Sequence, residues 1–379
     1  MTANWHGNRA NEQYTYKRVL WSPGNADHFG ELASYGYITK GSVELAAFTD
    51  LKASASFEFE GGPPPDTTDL VRIYYSFDDD AGEHAETPIG TFFVSYGGVE
   101  YVRNGAELME RGRVTGASTL SVLLNKKLGA PYTVAAGVDC VDTANTLITG
   151  LGLLTNSPDS NGVQTSTAHT FEPDDSYITV VNWLLTNANY QAVWPDALGT
   201  IMLVPYVDPE ARAITATFRD DAQSIMLPEV STENDWTETP NVARLYYQTD
   251  EECLTATAYM RSGARASLAG RGGREVTLVE QVDELSGETQ ADRIANLEAI
   301  ARKKLVDNAS EIEKVTLKHA FIDGIKPNDA IAIDYSGMEW RGNVVNMSID
   351  LQPSTPCQTK LRRFVPNSLV IETEGAAIW

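Results

Sequence analysis

One long helical segment set among strand-patterned stretches constrains the last third of the chain more than any other feature. Residues 289–305 carry Ile294, Leu297, Ile300 and Leu305 at helical spacing, which makes one face to bury. Thr289 and Asp292 stand at capping-box spacing, with Asp in place of the usual Glu or Gln. Arg302, Lys303 and Lys304 crowd the expected end, where the helix dipole favours cations. Strand-like stretches follow at 314–322, 330–334 and 344–349, with Lys326-Pro-Asn-Asp329 as a turn. The order predicts a helix followed by a run of strands.

The first third reads as β. Leu51, Ala53, Ala55, Phe57 and Phe59 alternate with polar partners, the period of a strand with one buried face. Gly61-Gly-Pro-Pro-Pro65 breaks it, because proline donates nothing to a ladder. Residues 71–77 and 91–94 read as two more strands, and 100–114 as a hairpin about Asn104-Gly105, a pair suited to the positive φ angles of a type I′ turn. The middle predicts helices at 118–128, from Asp139 onward with Asp139 as its cap, and at 175–187. A hairpin follows over 190–206, around Pro195-Asp196 and Gly199. After Pro240 strands resume at 241–248, 254–260 and 274–279. The expected class is mainly β with an α+β insertion: a β-rich domain over 1–117, an α+β domain over 118–235, and a second β-rich domain with one long helix over 236–379.

A chain of 379 residues predicts roughly two to four domains. With 42% hydrophobic and 21% charged residues it falls in the soluble globular class, and no apolar run approaches the ~20 residues that span a bilayer. The amino terminus lacks a basic-then-apolar signal region, so synthesis and assembly in a cytoplasm are expected. Cys140, Cys253 and Cys357 are too scattered for a disulfide framework or a metal site and read as core or incidental thiols. The balance of 52 acids to 29 bases gives a net charge of -23. That disfavours tight binding to a phosphate backbone and suits either a surface that DNA passes without sticking or simple solubility.

Catalytic chemistry is sought and not found, and no catalytic, cofactor or metal residue is assigned. His6, His28, His84, His169 and His319 have no ligand partner at helical spacing. Asp78-Asp-Asp80 with Gly82 and His84 imitates a calcium loop but lacks the closing carboxylate. No Gly-x-Ser-x-Gly elbow is present, and Asp196 beside Trp194 is explained by a Pro-Asp turn without invoking a glycosidase. One anomaly is positive. Arg261, Arg265, Arg271 and Arg274 interleave with small residues in a stretch without acids, which reads either as a mobile basic hairpin loop or as a loop that orders when it docks on an acidic neighbour. These four arginines and Trp379 form the candidate interface.

Several segments together resemble the tail-hub and minor tail proteins of long-tailed bacteriophages and prophages. They are Ile89-Gly-Thr-Phe-Phe-Val94, Trp194-Pro-Asp-Ala-Leu-Gly-Thr-Ile-Met-Leu-Val-Pro-Tyr206, Asp208-Pro-Glu-Ala-Arg212, Phe218-Arg-Asp-Asp221, Ser224-Ile-Met-Leu-Pro228, and Asp235 with Pro240-Asn241, besides the helix and turn of the last third. The resemblance covers about residues 40–365 and rests on pattern and order. Such proteins often carry Gly where this chain has Asn328, so Asn328 is expected to take the turn conformation. The resemblance implies a non-enzymatic virion protein at the tail tip, in which the β-rich domains over 1–117 and 236–379 are tube-like β-barrels. It further implies a homotrimer in which two such barrels per chain present six units to a six-fold tube. Its implied neighbours are the tail tube or distal tail protein and tip or fibre proteins, with DNA passing unbound and no membrane insertion. With the chain ending at Trp379, wall digestion is expected to belong to another protein. A carbohydrate-binding tail protein, suggested by Trp194, Trp236 and Trp340, and a wall hydrolase are the rivals.

Overall fold

A computed structural model of the chain describes residues 10–21, 29–60, 70–78, 81–104, 107–207, 211–221, 225–234, 236, 238–249, 251–282, 285, 287, 289–310, 313–363 and 369–378. The first β unit consists of β1 (Ala10–Trp21), β2 (Phe29–Ala46), β3 (Ala53–Glu60), β4 (Leu70–Asp78), β5 (His84–Asn104) and β6 (Glu107–Ser118). They pair in the order β1-β4-β5-β6-β3-β2, and β2 returns to β1, so the barrel is closed. The alternation predicted for residues 51–59 points Ala55, Phe57 and Phe59 inward, where Tyr16 packs on both rings at centroid distances of 5.7 and 5.9 Å. Full burial of each such side chain contributes roughly 1.5–3 kcal/mol, well above the ~0–1 kcal/mol of surface pairs such as Arg111–Glu60. The β5–β6 pairing runs out to Asn104 and Glu107, and the turn residues 105–106 lie outside the described residues.

The middle of the chain is α+β, with α1 (Ser121–Asn125), β7 (Tyr132–Val134), α2 (Cys140–Gly150), β8 (His169–Phe171), α3 (Tyr177–Asn187), β9 (Trp194–Pro195) and β10 (Ile201–Met202). Asp139 caps α2 as expected, its Oδ1 accepting the Asp142 N–H at 2.9 Å. Helix α1 is shorter than the predicted 118–128, because Lys126 turns extended and Lys127 bridges Ser176 instead. Val141, Ala144, Ile148, Val181, Leu184 and Leu185 from the two longer helices form a separate core.

The remaining elements are β11 (Ile214–Arg219), β12 (Met226–Asn234), β13 (Val242–Gln248), β14 (Cys253–Ser262), β15 (Thr277–Gln281), α4 (Gln290–Ser310), β16 (Glu313–His319), β17 (Ala330–Tyr335), β18 (Met338–Asp350), β19 (Cys357–Arg363) and β20 (Val370–Ala377). The mainly β class with an α+β part holds, but the chain divides differently from the expected boundaries. Strands from 236–379 split between two sheets. One is β15-β13-β14-β20 with α4 packed on it through Leu297, Ala301 and Leu305. The other is a six-strand array, β12-β16-β19-β18-β17-β11, which recruits β11 and β12 from the region expected to be α+β. That array is continuous with the barrel through β2–β18, and the two share one core in which Tyr75 meets Phe321 at 4.9 Å. Long-range pairing of this kind is set by burial on both faces, which local periodicity does not record.

Helix α4 starts on the predicted capping box, with Asp292 N–H donating to Thr289 Oγ1 and Thr289 N–H to Asp292 Oδ2, both at 3.1 Å. It runs five residues past the expected end at Leu305, since Val306-Asp-Asn-Ala-Ser310 contains neither Gly nor Pro to stop it. Arg302, Lys303 and Lys304 therefore sit within the helix rather than at its dipole end. No helix among the described residues is long and apolar enough to cross a membrane. The three cysteines are buried and none is in a disulfide.

His319 lies at the end of β16, fully buried beside Phe218. Its Nδ1–H donates to the Ala320 carbonyl and its Nε2 accepts from Thr359 Oγ1, each at 2.7 Å, so the neutral ring is satisfied on both sides. Burial pushes its pKa down from 6.5 to about 4. The unfolded chain thus takes up a proton at higher pH than the folded one. The contribution is intact above about pH 6.5 and is lost as pH falls toward 4, a change of roughly 3 kcal/mol. Denaturant midpoints at pH 7 and pH 4.5 should show a smaller acid loss for His319→Gln than for the parent; an equal loss would assign the acid sensitivity elsewhere.

Candidate functional site

Two turns singled out in the sequence face each other across a cavity of about 820 Å³. The first joins β9 to β10. Asp196 Oδ1 accepts the N–H groups of Leu198 at 2.9 Å and Thr200 at 2.8 Å, and Gly199 takes φ +90°, so the loop closes tightly. That closure aims three successive carbonyls at the barrel. Thr91 Oγ1 donates to Ala197 O at 2.9 Å, Arg72 Nη2 to Leu198 O at 2.9 Å and Thr119 Oγ1 to Gly199 O at 3.0 Å. Arg72, Thr91 and Thr119 are all buried, which explains why 70–75 in β4 is covered on both faces although it is a barrel strand. The Pro-Asp turn is the joint between the α+β unit and the barrel.

The second turn is Lys326-Pro-Asn-Asp329. Asn328 adopts φ +75°, as the departure from glycine required. Its side chain is used as well: Nδ2 donates to Gln191 Oε1 at 3.1 Å, and Oδ1 accepts from Asn343 Nδ2 at 3.2 Å. Arg212, just before β11, donates from Nη1 to the Asn328 carbonyl at 2.7 Å and from Nε to the Val207 carbonyl at 3.0 Å, and the Gln191 bond ties this turn of the six-strand array to the α+β unit. Burial raises the pKa of Asp329, whose Oδ2 accepts the Lys326 N–H. Lys326 Nζ sits 4.9 Å above the Trp194 ring of the first turn, and Lys303 of α4 sits 3.8 Å above Tyr206.

The arginine stretch is folded, in contrast to the expected disorder. Ala266 and Ser267 are buried, and Leu268 N–H donates to the Met260 carbonyl at 2.9 Å. Asn241, fully buried, holds it: Nδ2 donates to Ala266 O at 3.0 Å and Arg274 O at 2.9 Å, while Oδ1 accepts from Val276 N–H at 2.8 Å, a bonding role that its place at the start of a predicted strand did not signal. Arg261 pairs with Glu372 at 2.6 Å in its own chain. Arg271 donates to the Thr239 carbonyl at 2.9 Å and lies over Trp236, and its pKa is lowered by burial and then by Arg274. Arg265 and Arg274 remain exposed, and Trp379 lies outside the described residues. Arg261 and Arg271 are thus engaged within their own chain, whereas Arg265 and Arg274 face solvent. Trp194, Trp236 and Trp340 are half-buried, the first two beneath Lys326 and Arg271 and the third against the shared core.

No family model and no curated protein matches the chain. Solved structures do. A tail protein from Neisseria meningitidis MC58 aligns over 94% of this chain and 98% of its own at 13% identity and a TM-score of 0.62. The 43 kDa tail protein of prophage MuSo2 from Shewanella oneidensis aligns over 93% and 99% at 8% identity and a TM-score of 0.58. A chain of a lidless PdpA–VgrG complex aligns over 96% and 67% at 8% identity and a TM-score of 0.54. The chain shares the fold of the two tail proteins over 94% and 93% of its length.

Two substitutions test this local architecture. Gly199→Ala would place a Cβ 3.1 Å from Thr119 Cγ2 and 3.2 Å from Thr91 Cβ at a positive φ, and should lower stability by roughly 1–3 kcal/mol in denaturant melts. Asn241→Ala leaves two carbonyls and one N–H unpaired and should lower it by roughly 2–4 kcal/mol. It should also speed amide exchange across 261–274, whereas exposed Arg265→Ser should stay within ~0.5 kcal/mol of the parent.

Proposed function

We propose that the chain is a structural virion protein of a phage-type tail, and that three copies form the hub ring joining the tail tube to the tail tip around the DNA channel. The end-to-end fold shared with two tail proteins, over nearly the full length of each, is the observation that carries this reading. Supporting it, each chain contains a closed six-strand barrel and a six-strand array, two β units that a three-fold ring would multiply to the six a six-fold tube requires.

Assembly rather than catalysis is the mechanism. A heterologous contact repeated by a closing rotation gives a ring, and the ring's lumen then sets how DNA moves. With a net charge of -23, a predominantly acidic lumen would repel a passing duplex and leave it unbound. The partners in this reading are a second and third copy, the tube or distal tail protein on one side, and tip or fibre proteins on the other. The mature location is the virion tail tip, after assembly in the host cytoplasm.

Sedimentation of the purified chain should give three times the 41.4 kDa chain mass, and averaged electron images should show three-fold rings. A monomer at every concentration, or a two-fold dimer, would overturn the ring.

A further inference from the structure

We propose that the cavity between the two turns is a receptor site for an acidic peptide segment of a neighbouring protein, one that alternates carboxylate and large apolar side chains. The first argument is a reversal of charge. Acids exceed bases by 23 in the chain, yet the cavity wall carries Lys52, Arg212, Lys303, Lys326 and Arg362 against Asp196, Asp323 and Asp329. Two of those acids are already engaged by backbone N–H groups, Asp196 by Leu198 and Thr200 and Asp329 by Lys326.

Cations are available to meet an incoming carboxylate. Lys303 and Lys326 rest on aromatic faces, which hold an ammonium in place without neutralising it, and Lys326 acts on Asp329 through space, lowering its pKa against the effect of burial. Lys52 is half-buried with its Nζ donating to the Ala47 carbonyl at 2.6 Å, and burial pulls its pKa down even though Asp50 acts in the opposite sense. An anion entering the cavity would strengthen the charged form of that group.

Apolar surface supplies the second half of the recognition. Ile89, Phe92, Phe321 and Met347 contribute to the floor. At the wall, Phe48 and Leu198 leave 56% and 46% of their surface in water, large apolar side chains that a ligand would cover. The volume lies within the range of ordinary ligand sites, so a few residues of an extended segment fit. A nucleic-acid strand is disfavoured, because phosphate binding depends on many dense cations and this chain is acidic around a few. The barrel, the α+β unit, the six-strand array and α4 all contribute wall residues, so the site exists only in the folded whole.

This inference names the chemistry of a tail partner and so rests on the proposed tail role. A lone chain suffices for its test, so a failed titration leaves the measurement of ring mass standing. Full-length chain is titrated with the capped peptide Glu-Leu-Glu-Phe-Glu, with Lys-Leu-Lys-Phe-Lys as control, by calorimetry and by tryptophan fluorescence. The acidic peptide should bind and the basic one should not. Lys303→Glu combined with Lys326→Glu should weaken binding at least tenfold, Arg265→Ser should leave it unchanged, and Trp194→Phe should remove most of the fluorescence change. Circular dichroism confirms that each variant is folded. Absence of binding, equal binding by the charge-reversed variant, or displacement of the peptide by citrate at matched concentration, which would indicate a site for any small anion, overturns the proposal.

Discussion

Strand β2 satisfies two sets of backbone partners along its length, and the arrangement of the molecule depends on that. Its first part, from Phe29 to Tyr37, pairs with β1 and closes the barrel. Beyond Tyr37 it leaves β1, and the edge so freed would expose unpaired N–H and C=O groups. Strand β18 takes that edge from Ser42 to Ala46, while β3 pairs on the other side from Tyr37 to Leu45. Backbone satisfaction therefore welds the barrel to the six-strand array, and the common core of Tyr75, Phe321 and Met347 follows from it. A barrel closed along its whole length would have offered the array nothing to join.

The α+β unit is attached by other means, through side chains that donate to a turn. Arg72 is a costly residue to bury, and its guanidinium is held by the Leu198 carbonyl and Thr91 Oγ1. Opposite it, Asn328 ties the array to the same unit through Gln191. The cavity is the space these two fastenings leave between them. Two of its cations lie on rings, while Asp196 and Asp329 close the turns.

Much of this was legible locally. The alternation at Ala55, Phe57 and Phe59, the cap at Asp139, the capping box at Thr289 and the positive φ of Asn328 are each set by a few neighbouring residues. What periodicity could not show was partnership at a distance. Nothing in 236–379 distinguishes strands that pair with β14 from strands that pair with β18, because both kinds alternate alike. The arginine stretch reads as a loose loop by its small residues, yet Asn241, far upstream in sequence, orders it. Pro195-Asp196 was readable as a turn, but its role as a joint required knowing that Arg72 is buried above it.

The central physical claim is that barrel and array are one body, joined at β2–β18. Native-state hydrogen exchange followed amide by amide tests it most directly. The account predicts that amides of residues 42–46 and 346–350 are protected to the same degree as the barrel interior and lose protection together with it as denaturant rises. Early exchange of 346–350 while the barrel amides stay protected would contradict it and make the two β units separate bodies.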